Sequence, residues 1–428
     1  MEGRVHRYPA DLARFVREHW AEGEGDPEIA LPELPVLEAL ISTCFQASLM
    51  REEERQITFR LIFGEPDLFP PEEGPPSGLQ RLVFDEPRDF NEHELRRLSP
   101  ASPADRSLIG VRHNGEDLEI WGLIHSGPRW LQRVRGGRDF SPPMPDAPIL
   151  RVTGPGRIVV DRDSSLVGKL EGGRLSDNSM DVFESQWLPA MFAPIREELL
   201  ELHLQDREEA DHPWAELDLD VTRRIAQHMI RRIISTARNA GHGGTLVIVP
   251  PHCADDILSD RYVSLKYKFE DDEPRRRYRF LVTSIMDTLA EIYGQGNGDR
   301  APVGWTEYRK SGDDRLSILD EAIFEMSHLI AGLMAVDGAA VMTQRYEVLG
   351  FGGEISGNLQ GVSTVAQALD IEADHISKEN TEGYGTRHNS AFRLSNELRD
   401  ALSVVVSQDG DVRFIHYKNG LVTHWNQA

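Results

Sequence analysis

The run Thr245-Leu246-Val247-Ile248-Val249 limits the possible folds more than any other stretch of this chain. It follows Gly241-His242-Gly243-Gly244 and stops at Pro250-Pro251. Side chains on successive strand residues point to opposite faces, so a continuous apolar run leaves neither face to water. The run therefore predicts a central strand in a sheet covered on both sides. Residues 221–240, just before it, place Ile225, Met229, Ile233 and Ile234 at helical spacing, and the glycines end that helix.

The rest of this half alternates between helical and strand patterns. Residues 191–204 are predicted as a helix with glutamates on its exposed face, and a further helix passes through Leu289. A long helix is expected over residues 317–334. The charged stretch 270–277 and the run 294–304 are predicted as loops. Residues 338–343 and 346–351 form paired strands about a turn at Gln344-Arg345. Residues 392–399 are predicted as a helix and 401–407 as a strand. Residues 412–417 begin a last hairpin, which Asn419-Gly420 closes.

The N-terminal half has a separate pattern. Leu12, Phe15, Val16 and Trp20 share one helical face, and Leu37, Leu40, Ile41, Cys44, Phe45 and Leu49 form the stripe of a second helix. Residues 57–63 read as a strand, and 69–78, rich in Pro, Gly and Glu, as an exposed loop. Asn114-Gly115 sits between two strand patterns, a strong hairpin signal. Gly154-Pro155-Gly156 sits between two more. Residues 168–177 are small and polar and are predicted to be irregular, which sets a boundary: one domain over residues 1–180 and another over 181–428. Trp121 and Trp130 are expected in a core or interface. No catalytic constellation is visible in this half, so it is expected to regulate or assemble.

Charge and composition narrow the function. A net charge of −24 argues against binding a nucleic-acid polymer, which needs basic surface. It leaves room for a mononucleotide, whose phosphates need only a few local donors. No apolar run approaches the ~18 residues of a membrane span, and the charged start lacks an apolar signal core. Two cysteines, Cys44 and Cys253, lack metal-ligand spacing and suit a reducing cytoplasm. His252, His375 and His416 are expected to be surface or structural residues.

Two short segments carry chemistry. In Asp337-Gly338-Ala339, a carboxylate stands at the mouth of a strand beside a residue without a side chain, so a phosphate-bound cation can come close. In Gly385-Thr386-Arg387-His388-Asn389-Ser390, a helix start offers backbone N–H groups, a hydroxyl and a guanidinium to an anion. Alone, an Asp-Gly before a strand is usually just a turn, and Thr386 before a helix usually just an N-cap. Their order and their strand-then-helix setting give the pair more weight.

The pair resembles the two signatures of diadenylate cyclase domains, Asp-Gly-Ala followed by Gly-Thr-Arg-His-Arg. The flanks are similar too: Gly243-Gly244-Thr245-Leu246-Val247-Ile248, Ile376-Ser377-Lys378-Glu379, Ala401-Leu402-Ser403-Val404-Val405-Val406-Ser407 and Lys418-Asn419-Gly420. The resemblance covers residues 217–425. The N-terminal half most resembles the extension of a branch, DACNV, described as nucleotide sensors.

The resemblance implies an α+β fold: a C-terminal mixed β-sheet flanked by helices, preceded by a smaller α+β N-terminal domain. It implies condensation of two ATP into cyclic di-AMP, with Mg²⁺ or Mn²⁺ as cofactor and two subunits meeting face to face in a homo-oligomer. Asp337 would hold the metal. Gly338 and Ala339 would lie along the nucleotide, and Gly385, Thr386, Arg387, His388, Asn389 and Ser390 would bind it. Asp337, Arg387 and His388 would be the catalytic residues. Three departures favour the alternative, a sensor of nucleotide or cyclic dinucleotide without turnover. Asn389 replaces a second arginine, and Ser407-Gln408 replaces Ser-Glu. The link from Asp337 to Arg387 is long and contains Gly350-Phe351-Gly352-Gly353-Glu354. Lys378 and Arg393 are candidates to replace the lost charge. A fragment starting near Asp211 is expected to retain nucleotide binding.

Overall fold

A computed structural model describes residues 6–20, 31–69, 79–103, 106–126, 147–162, 165–176, 180–218, 220–269, 273–294, 302–356, 358–408 and 410–427. These fall into two compact units, one within residues 6–176 and one within 180–427. Each is an α+β unit with a sheet flanked by helices. Among the described residues, no helix is long and apolar enough to cross a membrane.

The first unit opens with helices α1 (Pro9–His19) and α2 (Leu34–Ser48) and a small hairpin of β1 (Arg51–Glu52) and β2 (Arg55–Gln56). Strands β3 (Phe59–Phe63) and β4 (Gln80–Asp89) follow, then helix α3 (Glu92–Leu98) and strands β5 (Ser107–His113) and β6 (Leu118–His125). Strands β7 (Pro148–Gly154), β8 (Arg157–Arg162), β9 (Ser165–Glu171) and β10 (Arg174–Ser176) complete an eight-stranded sheet ordered β10-β9-β8-β7-β3-β5-β6-β4. Only β3 and β5 run parallel among its pairs. Ile109 and Ile120 face the helices in one core with Leu12, Val16, Leu37 and Leu40. Leu108, Trp121 and Ile124 face the other side with Ile62 and Phe69. Trp121 is the core aromatic expected, its indole N–H donating to the Gly64 carbonyl at 2.9 Å; Trp130 lies outside the described residues.

Two expectations for this unit need correction. Residues within 168–177 are not irregular, because β9 and β10 pair there through Leu170 and Leu175. Glycines at strand ends disguised the pattern. Phe69 is buried rather than exposed, held in the core by its ring against Trp121 at 5.9 Å.

The second unit is built around β11 (Gly244–Val249), all six residues of which are buried. Its neighbours are β12 (Val263–Lys268), β13 (Ala339–Thr343), β14 (Val348–Ile355), β15 (Thr364–Ala368), β16 (Ile376–Asn380), β17 (Leu402–Val406), β18 (Val412–Lys418) and β19 (Leu421–Gln427). The nine-stranded order is β12-β14-β13-β11-β17-β18-β19-β15-β16. The β11–β13 and β15–β19 pairs are parallel and the others antiparallel.

Helices α4 (Trp187–Met191), α5 (Ala193–Glu209), α6 (Asp220–Ala240), α8 (Glu273–Gly294), α9 (Trp305–Lys310) and α10 (Asp314–Met334) are associated with one face, and α7 (Ala254–Leu258) and α11 (Thr386–Glu397) with the other. Leu246 and Ile248 of β11 enter the first core, while Val247 and Val249 enter the second. Burying such side chains contributes about 1.5–3 kcal/mol each.

Here too the boundaries shift. Most of the charged stretch 270–277 is the start of α8, not a loop. The charges hid the start, because Tyr278, Leu281, Val282 and Ile285 bury only the opposite side. The run 294–304 ends at α9, and α10 starts at Asp314, capped by the Asp313 carboxylate accepting from the Arg315 N–H. A fragment starting near Asp211 would lose Val182, Phe183, Leu188 and Leu199 from the core, so this unit needs its residues from Met180 onward.

Gly338 joins α10 to β13 with φ +111°, and a methyl group added there would stand 2.7 Å from the Gly352 carbonyl carbon. Both strained conformation and backbone overlap oppose a side chain. Gly338→Ala should lower stability by roughly 2 kcal/mol or more, read as a lower urea midpoint; an unchanged midpoint would contradict the packing described.

Candidate functional site

The parallel register of β11 and β13 pairs Thr245 with Ala339. It brings Gly243-Gly244 and Asp337-Gly338 to the same end of the sheet. The antiparallel pairing of Gly244 with Val406 brings the end of β17 there as well. Gly243 has φ +64°, and a methyl group on it would stand 2.8 Å from Arg387 Nη1 and 2.8 Å from the Val406 carbonyl oxygen. The Arg387 guanidinium therefore reaches over the glycine at the mouth of β11. Asp337, from the neighbouring strand mouth, is exposed.

Helix α11 presents its start to this region. Its N-cap, Gly385, has no side chain to satisfy the first N–H groups, and no acidic residue sits in the first turn. An uncompensated helix start carries partial positive charge and free donors, the setting in which anions bind. The helix is pinned from below by Ala391 and Phe392, buried against Val405, Ile415 and Val422.

The rest of the second motif is engaged locally. Asn389 donates from its amide to the Tyr384 carbonyl at 2.8 Å, so it braces the turn into α11. Arg393 donates to the Ser390 hydroxyl at 3.2 Å. Arg413 of β18 donates from Nη1 to His388 Nε2 at 3.0 Å. Since a guanidinium can only donate, His388 accepts there and is neutral, with its proton on Nδ1. Burial and then the Arg413 charge lower its pKa to about 4.

A second group of side chains lies beside it. The Tyr384 hydroxyl donates to the Glu379 carboxylate and meets His424 Nε2 at 3.0 Å. Burial first, then Glu379, push the Tyr384 pKa up to about 12. Glu379, 3.5 Å from His424 Nε2, favours protonation of that imidazole. Burial and Arg413 outweigh it and lower the His424 pKa to about 4. Arg413 also lies over the Tyr384 ring at 5.2 Å.

Of the expected site residues, Arg387 is thus brought to the strand mouths where Asp337 and Gly338 stand. Ala339 is buried in the ladder, leaving its backbone as its contribution. Thr386 and Gly385 are exposed at the helix start. His388 sits with Arg413 rather than open to solvent. Lys378 alternates with Glu379 along β16 and is exposed, facing away from the Tyr384 side. Arg413, Tyr384 and His424 were not singled out in the sequence. For Arg413 and His424 the signal is alternation along β18 and β19, which tells which residues share a face but not what meets them, and Tyr384 lies in the turn just before α11. Among the described residues no group of three or more His, Cys, Asp or Glu is placed to hold a metal ion; Asp337 is the carboxylate at this end, and Mg²⁺ commonly takes one or two protein carboxylates with phosphate oxygens and water.

Residues 26–125 match a family described as "Probable sensor domain DACNV". The match runs from before α2 to the end of β6, within the first unit. No curated protein matches the chain, and no solved structure matches it.

Both histidines titrate near 6.5 when unfolded, so between about pH 6.5 and 4 the unfolded chain binds more protons than the folded one. Their contribution is complete above about pH 6.5 and is lost as pH falls toward 4. The urea midpoint should therefore drop between pH 7 and 5, and His424→Gln should make that drop shallower. Parallel pH profiles for the two proteins would remove the assignment.

Proposed function

We propose that the protein is a nucleotide sensor, whose second unit holds ATP or a cyclic dinucleotide at the strand mouths without turning it over. The observation that carries the reading is the approach of Arg387 to Gly243, beside an uncapped helix start. A guanidinium, free N–H groups and an adjacent carboxylate form a small anion site on a chain whose overall charge is −24. The similarity of residues 26–125 to a sensor family favours a signalling role over synthesis.

In this reading the phosphates meet Arg387 and the N–H groups of residues 386–388. Asp337 holds a Mg²⁺ or Mn²⁺ ion that arrives with the nucleotide and offsets phosphate charge. His388, neutral and already engaged by Arg413, orients that arginine rather than moving protons. Asn389 supplies no charge, and its amide is held by the Tyr384 carbonyl. Compared with the diadenylate cyclase pattern, the site thus lacks one fixed cation, a loss that weighs more on a charge-building transition state than on binding.

The second reading, condensation of two ATP into cyclic di-AMP by face-to-face subunits, draws on Asp337, an exposed carboxylate at the mouth of a strand. Calorimetric titration of the full-length protein with ATP and Mg²⁺, and with cyclic di-AMP, followed by mass analysis, separates the two. The sensor reading expects saturable binding of at least one ligand and intact ATP. It expects Arg387→Ala to weaken binding by about tenfold or more, since a charged hydrogen bond is worth about 1.5–3 kcal/mol. Cyclic di-AMP among the products would establish the enzyme instead, and no binding of either ligand would exclude both.

A further inference from the structure

On the other face of the same sheet, a cavity of about 40 Å³ lies between helices α4, α5, α6 and α8 and the strands. Its lining includes Phe192, Ile230, Ile248 and Phe414, and it belongs to the core opposite α11. One water needs about 10–15 Å³ by this measure and two to four polar partners. The cavity has room for more than one water, yet its apolar walls offer few partners.

Polar side chains border it too, Thr222 and Gln227 among them, and three others, Arg223, Arg196 and Tyr278, are unequally partnered. Arg223 is paired with Asp220, Nη2 to Oδ2 at 2.8 Å. Arg196, half-buried, donates to the Pro189 carbonyl at 2.5 Å and has no carboxylate at ion-pair distance among the described residues. Burial and then the neighbouring Arg223 charge lower its pKa, the direction expected of a cation short of a counter-ion. Tyr278 is fully buried, and its hydroxyl has no hydrogen-bond partner. A buried, unpartnered hydroxyl is costly, because it has given up water without gaining a partner.

A fourth feature fixes the shape. Tyr346 lines the cavity with φ +61°, a conformation that costs a bulky residue energy and persists where its surroundings impose it. Its ring packs on Tyr278 at 4.3 Å and on Phe192 at 5.8 Å. The strained turn between β13 and β14 thus holds an aromatic wall against the cavity instead of letting the turn relax and the core close over it.

From the cavity, the uncompensated guanidinium and the orphaned hydroxyl together, we propose that this is a binding site for a small carboxylic acid with a short apolar body. The apolar part fills the space under Ile230 and Ile248, and the carboxylate pairs with Arg196, whose planar fork matches it. A dianionic phosphate suits the site less, because Arg196 is the one bordering guanidinium without a carboxylate at ion-pair distance among the described residues, and the walls are mostly apolar. The site is separate from the Arg387 end: Ile248 and Leu402 face it, whereas Val405 faces α11.

The test is a saturation-transfer NMR titration of the full-length protein with hexanoate and hexan-1-ol as separate probes, and with inorganic phosphate as a competitor of hexanoate. Hexanoate should bind saturably, hexan-1-ol roughly tenfold more weakly, and phosphate should not displace hexanoate. Arg196→Gln should reduce hexanoate to the level of the alcohol and leave the alcohol unchanged. Ala226→Met, which fills the cavity from α6, should abolish binding of both while circular dichroism stays native. Absence of saturable hexanoate binding, or binding that survives Arg196→Gln and a folded Ala226→Met unaltered, would overturn the proposal.

Discussion

Close backbone approach at Gly243 and Gly338 is the constraint on which the second unit's candidate site depends. Side chains are excluded at both positions, by φ as well as by space. At Gly338 this permits α10 to feed β13 directly beneath β14. At Gly243 it leaves the clearance that the Arg387 guanidinium takes. A strand mouth walled by side chains could not admit a guanidinium, nor a phosphate, to the backbone. The same two glycines therefore serve packing and recognition together, and a change at either would disturb both.

Charge is arranged locally against the trend of the chain. Around α11 stand Arg387, Arg393 and Arg413, while the chain as a whole carries −24. Arg413 does the most to organise this patch: it donates to His388, lies over Tyr384 and donates to Asn426 at 3.0 Å. Burial first, and then the Arg413 charge, keep His388 and His424 neutral. The result is a group of imidazoles that act as acceptors and packing surfaces, with the positive charge concentrated on guanidiniums that do not titrate in the physiological range.

The sheet of the second unit was legible where burial is two-sided. Residues 245–249 announce a central strand because no polar residue interrupts them, and the Asn-Gly turns locate hairpins. Strands β15 and β16 were not legible. β16 alternates exposed and half-buried residues through Ile376, Lys378 and Asn380, and β15 finds its place only by a parallel pairing with β19 far along the chain. Local pattern carries no record of such a partner. At the site, the motif glycines and Arg387 were readable from composition and order, whereas the contact between Arg387 and Gly243 comes from the sheet register. Arg413 was invisible for the same reason. Its role is set by what α11 lays across β18, not by its own neighbours.

The first unit's sheet does not stop where the similarity to the sensor family stops. Strand β3 pairs on one side with β5, inside residues 26–125, and on the other with β7, beyond them. Leu150, Val152, Ile158, Val160 and Leu170, all past residue 125, belong to the same core as Leu37 and Ile109. Severed at that point, residues 59–62 would present an open row of backbone donors and acceptors flanked by apolar side chains, the kind of edge that recruits other chains. The stretch that matches the family is therefore shorter than the stretch that completes this sheet, and the residues beyond 125 carry the duty of closing that edge.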